Sequence, residues 1–186
     1  SSFELENIYP EIFGSILPSS LKSFGNFFFT GELSYNEDRI KSNFTLKNDN
    51  GEVYTDLDIF DFEDIDNASY VGIFRGINVD LSNFITLPFL GKSTFQFTID
   101  GKGFVPELLN SKLEGKIDDL KIKDYKYSNI DIFGDVSDKV FNGTLTVNDE
   151  NIQMDFIGLV DYSNQFIDFD FSTNISKANI GKLTLT

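Results

Sequence analysis

The chain has 186 residues, with 15 Lys+Arg against 30 Asp+Glu and a formal net charge of −15. It contains no Cys, His or Trp, which excludes thiol chemistry, disulfides, imidazole bases, Ser-His-Asp triads and the usual zinc sites. With Arg39 and Arg75 as its only arginines, so acidic a chain also lacks the clustered cations of a nucleic-acid groove.

Residues 1–25 read as a short helical lead-in. Pro10-Glu11 opens one stretch, with Pro where a helix does not need its N–H, and Pro18 opens a second that runs through Leu21 to Gly25. From residue 26 to 186 period-two alternation dominates, the mark of strands with one apolar face. Phe27, Phe29, Gly31, Leu33 and Tyr35 share a face, then Ile40, Ser42, Phe44 and Leu46, then Val53, Thr55, Leu57 and Ile59. Asp80 is expected to cap a turn toward Phe84, and Phe95, Phe97 and Ile99 resume the alternation. Pro106 to Leu109 is a further short helical candidate. Leu113 to Ile117 follows, then Ile130, Ile132, Gly134 and Val136, then Phe141, Gly143, Leu145 and Val147. Ile152, Met154, Phe156, Gly158 and Val160 precede Ile167, Phe169, Phe171, Thr173 and Ile175. Turn signals at Asn36-Glu-Asp38, Asn48-Asp-Asn-Gly51, Ser137-Asp138, Asn148-Asp149 and Ser163-Asn164 divide the series into about ten to eleven strands. The expected class is all-β, antiparallel, with a few short helices.

An apolar residue, any residue, then Gly recurs at Phe29-Thr-Gly31, Phe74-Arg-Gly76, Leu113-Glu-Gly115, Ile132-Phe-Gly134, Phe141-Asn-Gly143 and Phe156-Ile-Gly158. Each Gly falls on the apolar face in mid-strand, where it sacrifices packing. Two explanations fit: the sheet bends or is closely approached there, or small residues interlock with Phe across a sandwich core.

Acidic residues recur at Asp56/Asp58, Asp61/Glu63/Asp64, Asp118/Asp119 and Asp168/Asp170. Carboxylates two apart on a strand share a face, the arrangement a calcium site or glycosidase pair needs. On strands whose other face is apolar, alternate acids also form the solvated side, and that is the reading adopted. Asn48-Asp-Asn-Gly51 lacks the spacing and terminal Glu of a calcium loop and reads as a hairpin turn. Tyr125 and Tyr127 share a strand face, as part of the lining, as a cross-strand pair, or as a platform for a sugar ring. No catalytic residue, metal ligand or cofactor is assigned, and no enzyme activity is expected.

The second half carries the runs Ser111 to Leu120, Tyr125 to Gly134, Lys139 to Asp149 and Ile152 to Tyr162, all patterns of apolar, Gly and Asp positions. With the segments Pro18 to Leu33 and Val79 to Gly103, they resemble the AsmA-like proteins of the translocation and assembly module type, TamB, of Bacteroidota. The resemblance implies an elongated antiparallel sheet curled into a U-shaped apolar groove, a β-taco. It further implies a periplasmic body held by an inner-membrane helix outside this chain. The function so implied is transfer of phospholipid between inner and outer membranes, or help in assembling outer-membrane proteins. An Omp85-type outer-membrane barrel is the implied partner, contacted through regions outside this chain. The chain then reads as an interior slice, ending in a strand in progress at Lys182 to Thr186. The candidate lipid-lining residues are Phe27, Phe29, Leu33, Phe44, Leu57, Phe95, Phe97, Leu145, Met154, Phe156, Phe169 and Phe171. The alternative is a secreted β-sandwich for adhesion or carbohydrate binding, with a filled core and no lipid.

Overall fold

Alternation of apolar and polar residues, interrupted by short turns, folds this chain into one antiparallel meander. The computed structural model describes residues 2–8, 26–64, 66–83, 89–104, 108–164 and 166–183. The strands are β1 (Ser2–Ile8), β2 (Phe27–Tyr35), β3 (Arg39–Asn48), β4 (Gly51–Phe60), β5 (Ser69–Asp80) and β6 (Leu90–Lys102). They continue with β7 (Asn110–Ile122), β8 (Tyr125–Ser137), β9 (Val140–Asn148), β10 (Ile152–Asp161) and β11 (Asp168–Ala178). Sheet order equals chain order, β1 and β11 are the edges, and the sheet is not closed.

The expected turns close the hairpins. Asn36 Oδ1 accepts from the backbone N–H groups of Asp38 (3.2 Å) and Arg39 (2.8 Å), an Asx turn that holds β2 to β3. Asn48 Oδ1 accepts from Asn50 N at 2.8 Å. Asp138 and Lys139 take φ of 51° and 64°, the left-handed pair whose twist matches that of the flanking strands. A 3-10 turn at Leu81–Asn83 follows Asp80, whose Oδ1 accepts from Ser82 N and Oγ at 3.1 and 2.7 Å. The helical candidates at Pro10 and Pro18 lie outside the described residues, as does the start of the one at Pro106 to Leu109, whose Leu108 and Leu109 form a turn and irregular chain leading into β7.

Two strands depart from the sequence reading. Residues 2–8 fall in the stretch expected as a helical lead-in, yet they form β1 and pair with β2. Phe3 and Leu5 alternate with Glu4 and Glu6, and this period of two suits an edge strand. Strand β5 was not in the expected series, because Tyr70, Val71, Ile73 and Phe74 put apolar residues on both of its faces and blur the alternation.

Short turns lock the register, so paired residues line up in rows that cross the strands. One row on the apolar face joins Phe29, Leu46, Val53, Gly76 and Phe95, then Ile117, Ile130, Val147, Met154 and Ile175. The next joins Gly31, Phe44, Thr55, Phe74 and Phe97, then Gly115, Ile132, Leu145, Phe156 and Thr173. A third carries Leu33, Ser42, Leu57, Gly72 and Ile99, then Leu113, Gly134, Gly143, Gly158 and Phe171.

Burial follows the rows. Phe27, Leu46, Val53, Val79 and Phe95 form the buried cluster, with Phe29, Phe44, Phe74, Leu81, Phe97 and Ile117 packed against it. It therefore centres on the first row over β2 to β6. Ring contacts run within strands and between neighbours, as in Phe29–Phe44 and Phe74–Phe95, each with centroids 5.5 Å apart. Beyond the cluster the face opens: every residue of β11 is exposed.

Candidate functional site

The site built by these rows is a sheet face. All twelve candidate lining residues lie on the apolar side of their strands, but the structure divides them by access. Phe27, Leu57 and Phe95 are buried, covered by the protein's own side chains and left with little surface for a guest. Phe29, Phe44, Phe97, Leu145, Met154 and Phe156 are half-buried. Leu33, Phe169 and Phe171 are exposed, Phe171 at 50%. Phe44, Phe97, Leu145 and Phe156 share the second row, and Phe156 stacks on Phe171 of β11 with centroids 5.1 Å apart and planes 29° apart. The half-buried residues thus make a strip at right angles to the strands, grading into an open end at β11.

The recurrent glycines lie on the same face, spread over all three rows, and both explanations for them apply, at different places. Gly134, Gly143 and Gly158 are direct neighbours on β8, β9 and β10. A Cβ on Gly143 would meet the Phe133 carbonyl oxygen, Gly134 Cα at 2.6 Å and the Phe141 ring at 2.8 Å. Backbone approach is the cause at Gly31, Gly72, Gly115 and Gly158 as well, where a neighbouring strand's carbonyl oxygen fills the Cβ position. Interlocking explains Gly76, whose missing Cβ leaves room for the Phe95 ring 2.5 Å from where it would stand. The backbone approaches fall at the β2/β3, β4/β5, β6/β7, β8/β9 and β10/β11 junctions, every second junction along the sheet.

The polar side carries the acidic residues. Arg39–Asp58, Lys47–Glu52 and Lys126–Asp119 pair there at 3.6, 3.3 and 3.3 Å. Such solvated pairs contribute little to stability. No group of three or more Asp or Glu is placed to hold a metal among the described residues. Two depressions also open on this side. One, of about 640 Å³, lies over β6 to β9, and a smaller one of about 120 Å³ lies between β4 and β5. None of the twelve candidates lines either. The sequence reading took this face as uniformly solvated and missed Phe133, Ile157 and Ile73, large apolar side chains exposed on it. Strand parity was the signal that could have found them, since each is flanked by residues of the apolar face.

Among the described residues one carboxylate is buried. Asp149, 3% exposed, follows β9 and accepts from Tyr125 Oη (2.5 Å), Ser128 N (3.0 Å), Ser128 Oγ (2.7 Å) and Asn151 N (2.9 Å). Asn151 Nδ2 donates to Tyr125 Oη at 3.0 Å. This clip ties the start of β8 to the β9–β10 turn. It also fixes Tyr125 edge-on to Tyr127, with centroids 4.7 Å apart. Burial alone would push the Asp149 carboxyl up, but the bonds from Tyr125, Asn151 and Ser128 outweigh it and hold the group below its ordinary value. Burial pushes Tyr125 above the ordinary tyrosine value, and its bond to Asp149 adds to that.

A carboxyl depressed by folding stabilises the fold above its unfolded value near 3.8, and that contribution disappears as pH falls through the folded value. A raised tyrosine acts at the other end, its contribution declining as pH rises past 10. Asp149→Ala is expected to cost about 2–3 kcal/mol at pH 7, because it strands buried donors that the carboxylate now satisfies. Thermal melts at pH 7 and pH 3 check this. The gap between wild type and variant narrows at pH 3 if the charged carboxylate is responsible, whereas an equal gap at both would show that it is not.

No helix among the described residues is long and apolar enough to cross a membrane. Comparison of the chain with protein-family models, curated proteins and solved structures finds no match.

Proposed function

We propose that this chain is a lipid-binding segment of a TamB-like envelope protein, its sheet curled toward the apolar face into a groove for phospholipid acyl chains. On this reading it is an interior part of an elongated periplasmic body between inner and outer membranes. It passes lipid along, or helps outer-membrane protein assembly, with a barrel partner docking elsewhere on the full protein.

The observation that carries the reading is the half-covered second row, in which Phe44, Phe74, Phe97, Ile132, Leu145 and Phe156 cross the strands. Ten strands at about 4.8 Å give a strip of roughly 48 Å. Each methylene of a guest buried against it contributes about 0.8 kcal/mol. The glycine approaches at alternate junctions support curling, since each draws a neighbouring backbone toward the apolar side. The accessible surface supports an open form: it is 11458 Å², against about 9,000 Å² for a compact monomer of this mass.

Phospholipid is expected to co-purify with the chain and to appear as mass increments in native mass spectrometry. Phe156→Glu places a charge in the middle of the strip and is expected to abolish those increments. Asn142→Glu, on the polar side, leaves them unchanged. Wild-type protein free of lipid, or Phe156→Glu retaining it in full, would sink the reading.

A further inference from the structure

The 640 Å³ depression over β6 to β9 belongs to the face opposite the apolar strip. Two rows form its floor. Gln96, Lys116, Asp131 and Thr146 are successive cross-strand neighbours, as are Thr98, Glu114, Phe133 and Thr144. Its volume falls within the range of about 300–1,000 Å³ typical of small-molecule clefts.

Three features of this floor point to one kind of ligand. Phe133 is 59% exposed in the middle of a polar row, a flat apolar surface that water covers at a cost. The polar groups around it are uncommitted. Arg39, Lys47 and Lys126 elsewhere on this side are paired, whereas the side chains of Gln96, Glu114, Lys116 and Asp131 make no hydrogen bond or ion pair with the described residues. They therefore offer donors and acceptors together around one exposed ring. The charge sign is the third feature, since Glu114, Asp118 and Asp131 outnumber Lys116 in the lining and repel an anion.

We infer that this depression binds an uncharged oligosaccharide, with a sugar ring laid on Phe133 and its hydroxyls shared among Gln96, Glu114, Lys116 and Asp131. A sugar ring has an apolar C–H face and a rim of hydroxyls that donate and accept at once, which matches a lone aromatic ring among mixed polar groups. An extended peptide fits less well. Strands β6 to β9 are paired on both sides, so a peptide would find no free sheet edge to extend, the usual source of its affinity. Phosphate-bearing ligands, lipid headgroups among them, are disfavoured by the acidic lining. The site uses the face that the lipid reading leaves idle and stands or falls apart from it.

The test is a titration of the ¹⁵N-labelled chain, followed by NMR, with cellohexaose, maltohexaose, mannohexaose and chitohexaose. Spermidine and an alginate hexamer serve as cationic and anionic controls. At least one neutral hexasaccharide is expected to shift amides of β6 to β9, with neither control doing so. Phe133→Ala weakens that binding about tenfold or more with its melting temperature unchanged, as expected of an exposed ring, while Phe156→Glu leaves it intact. The inference is overturned if no neutral hexasaccharide shifts those amides, if Phe133→Ala binds as well as wild type, or if a charged control binds equally.

Discussion

Replacing Phe95 by alanine is expected to cost about 3–5 kcal/mol of folding stability, the range for a buried Phe whose cavity cannot close. Phe95 is 5% exposed and stacks on Phe97 with centroids 5.0 Å apart and planes 19° apart. It also packs on Phe74 and lies over Gly76, its direct partner on β5. Three neighbours therefore lose contact at once, and two of them belong to the half-buried row. The Gly76 contact allows a second measurement. Gly76→Ala alone forces a Cβ against the Phe95 ring and is destabilising, but the same change in the Phe95→Ala background partly fills the vacancy. Urea unfolding of the four proteins should give a double-mutant coupling of opposite sign to the single penalties. Strict additivity would show that the ring does not rest on Gly76.

The second large effect is expected at Gly143, where valine should destabilise by about 3 kcal/mol, the top of the range for overpacking. The atoms in the way are the Phe133 carbonyl oxygen and Gly134 Cα. Both are backbone atoms of the paired strand, so no rotamer change relieves the collision and β8 must move away from β9. Gly91 is the control. A Cβ there would meet Lys121 Cβ and Cδ at 3.3 Å, a contact that a shift of a few tenths of an ångström relieves, so Gly91→Ala should change stability by less than about 1 kcal/mol. Near-equal melting temperatures for Gly143→Val and wild type would remove the close-approach account of the glycine series. They would also remove its support for a sheet drawn toward the apolar face.

Much of this was legible beforehand, and the limits are instructive. The pairing of Gly134 with Gly143 follows as soon as Asp138–Lys139 is taken as a two-residue turn, since a hairpin of that kind leaves no freedom of register. The sequence reading named the glycines but set the turn signal at Ser137-Asp138, one residue early, a placement that would put Gly134 opposite Phe141. The Asp149 clip was out of reach. Tyr125, Ser128 and Asp149 are more than twenty residues apart at their widest, and nothing in the turn signal at Asn148-Asp149 shows that a tyrosine of another strand closes over it. Phe133 was hidden for another reason: its neighbours Ile132 and Gly134 drew the motif, and parity alone set Phe133 on the other side.

The order of strands, their turns and the side to which each residue points are written locally in the chain. Side-chain direction in a strand has a period of two, and a turn needs only a few residues in the right conformation. The folded sheet added what depends on residues far apart. It aligned the rows across strands, buried Phe27, Leu57 and Phe95 while leaving Phe97, Leu145 and Phe156 half open, and hollowed the polar side over β6 to β9. Burial at each of these positions depends on how closely neighbouring strands approach and which way the sheet bends, and those are properties of the assembled backbone, with no counterpart in the pattern of any single strand.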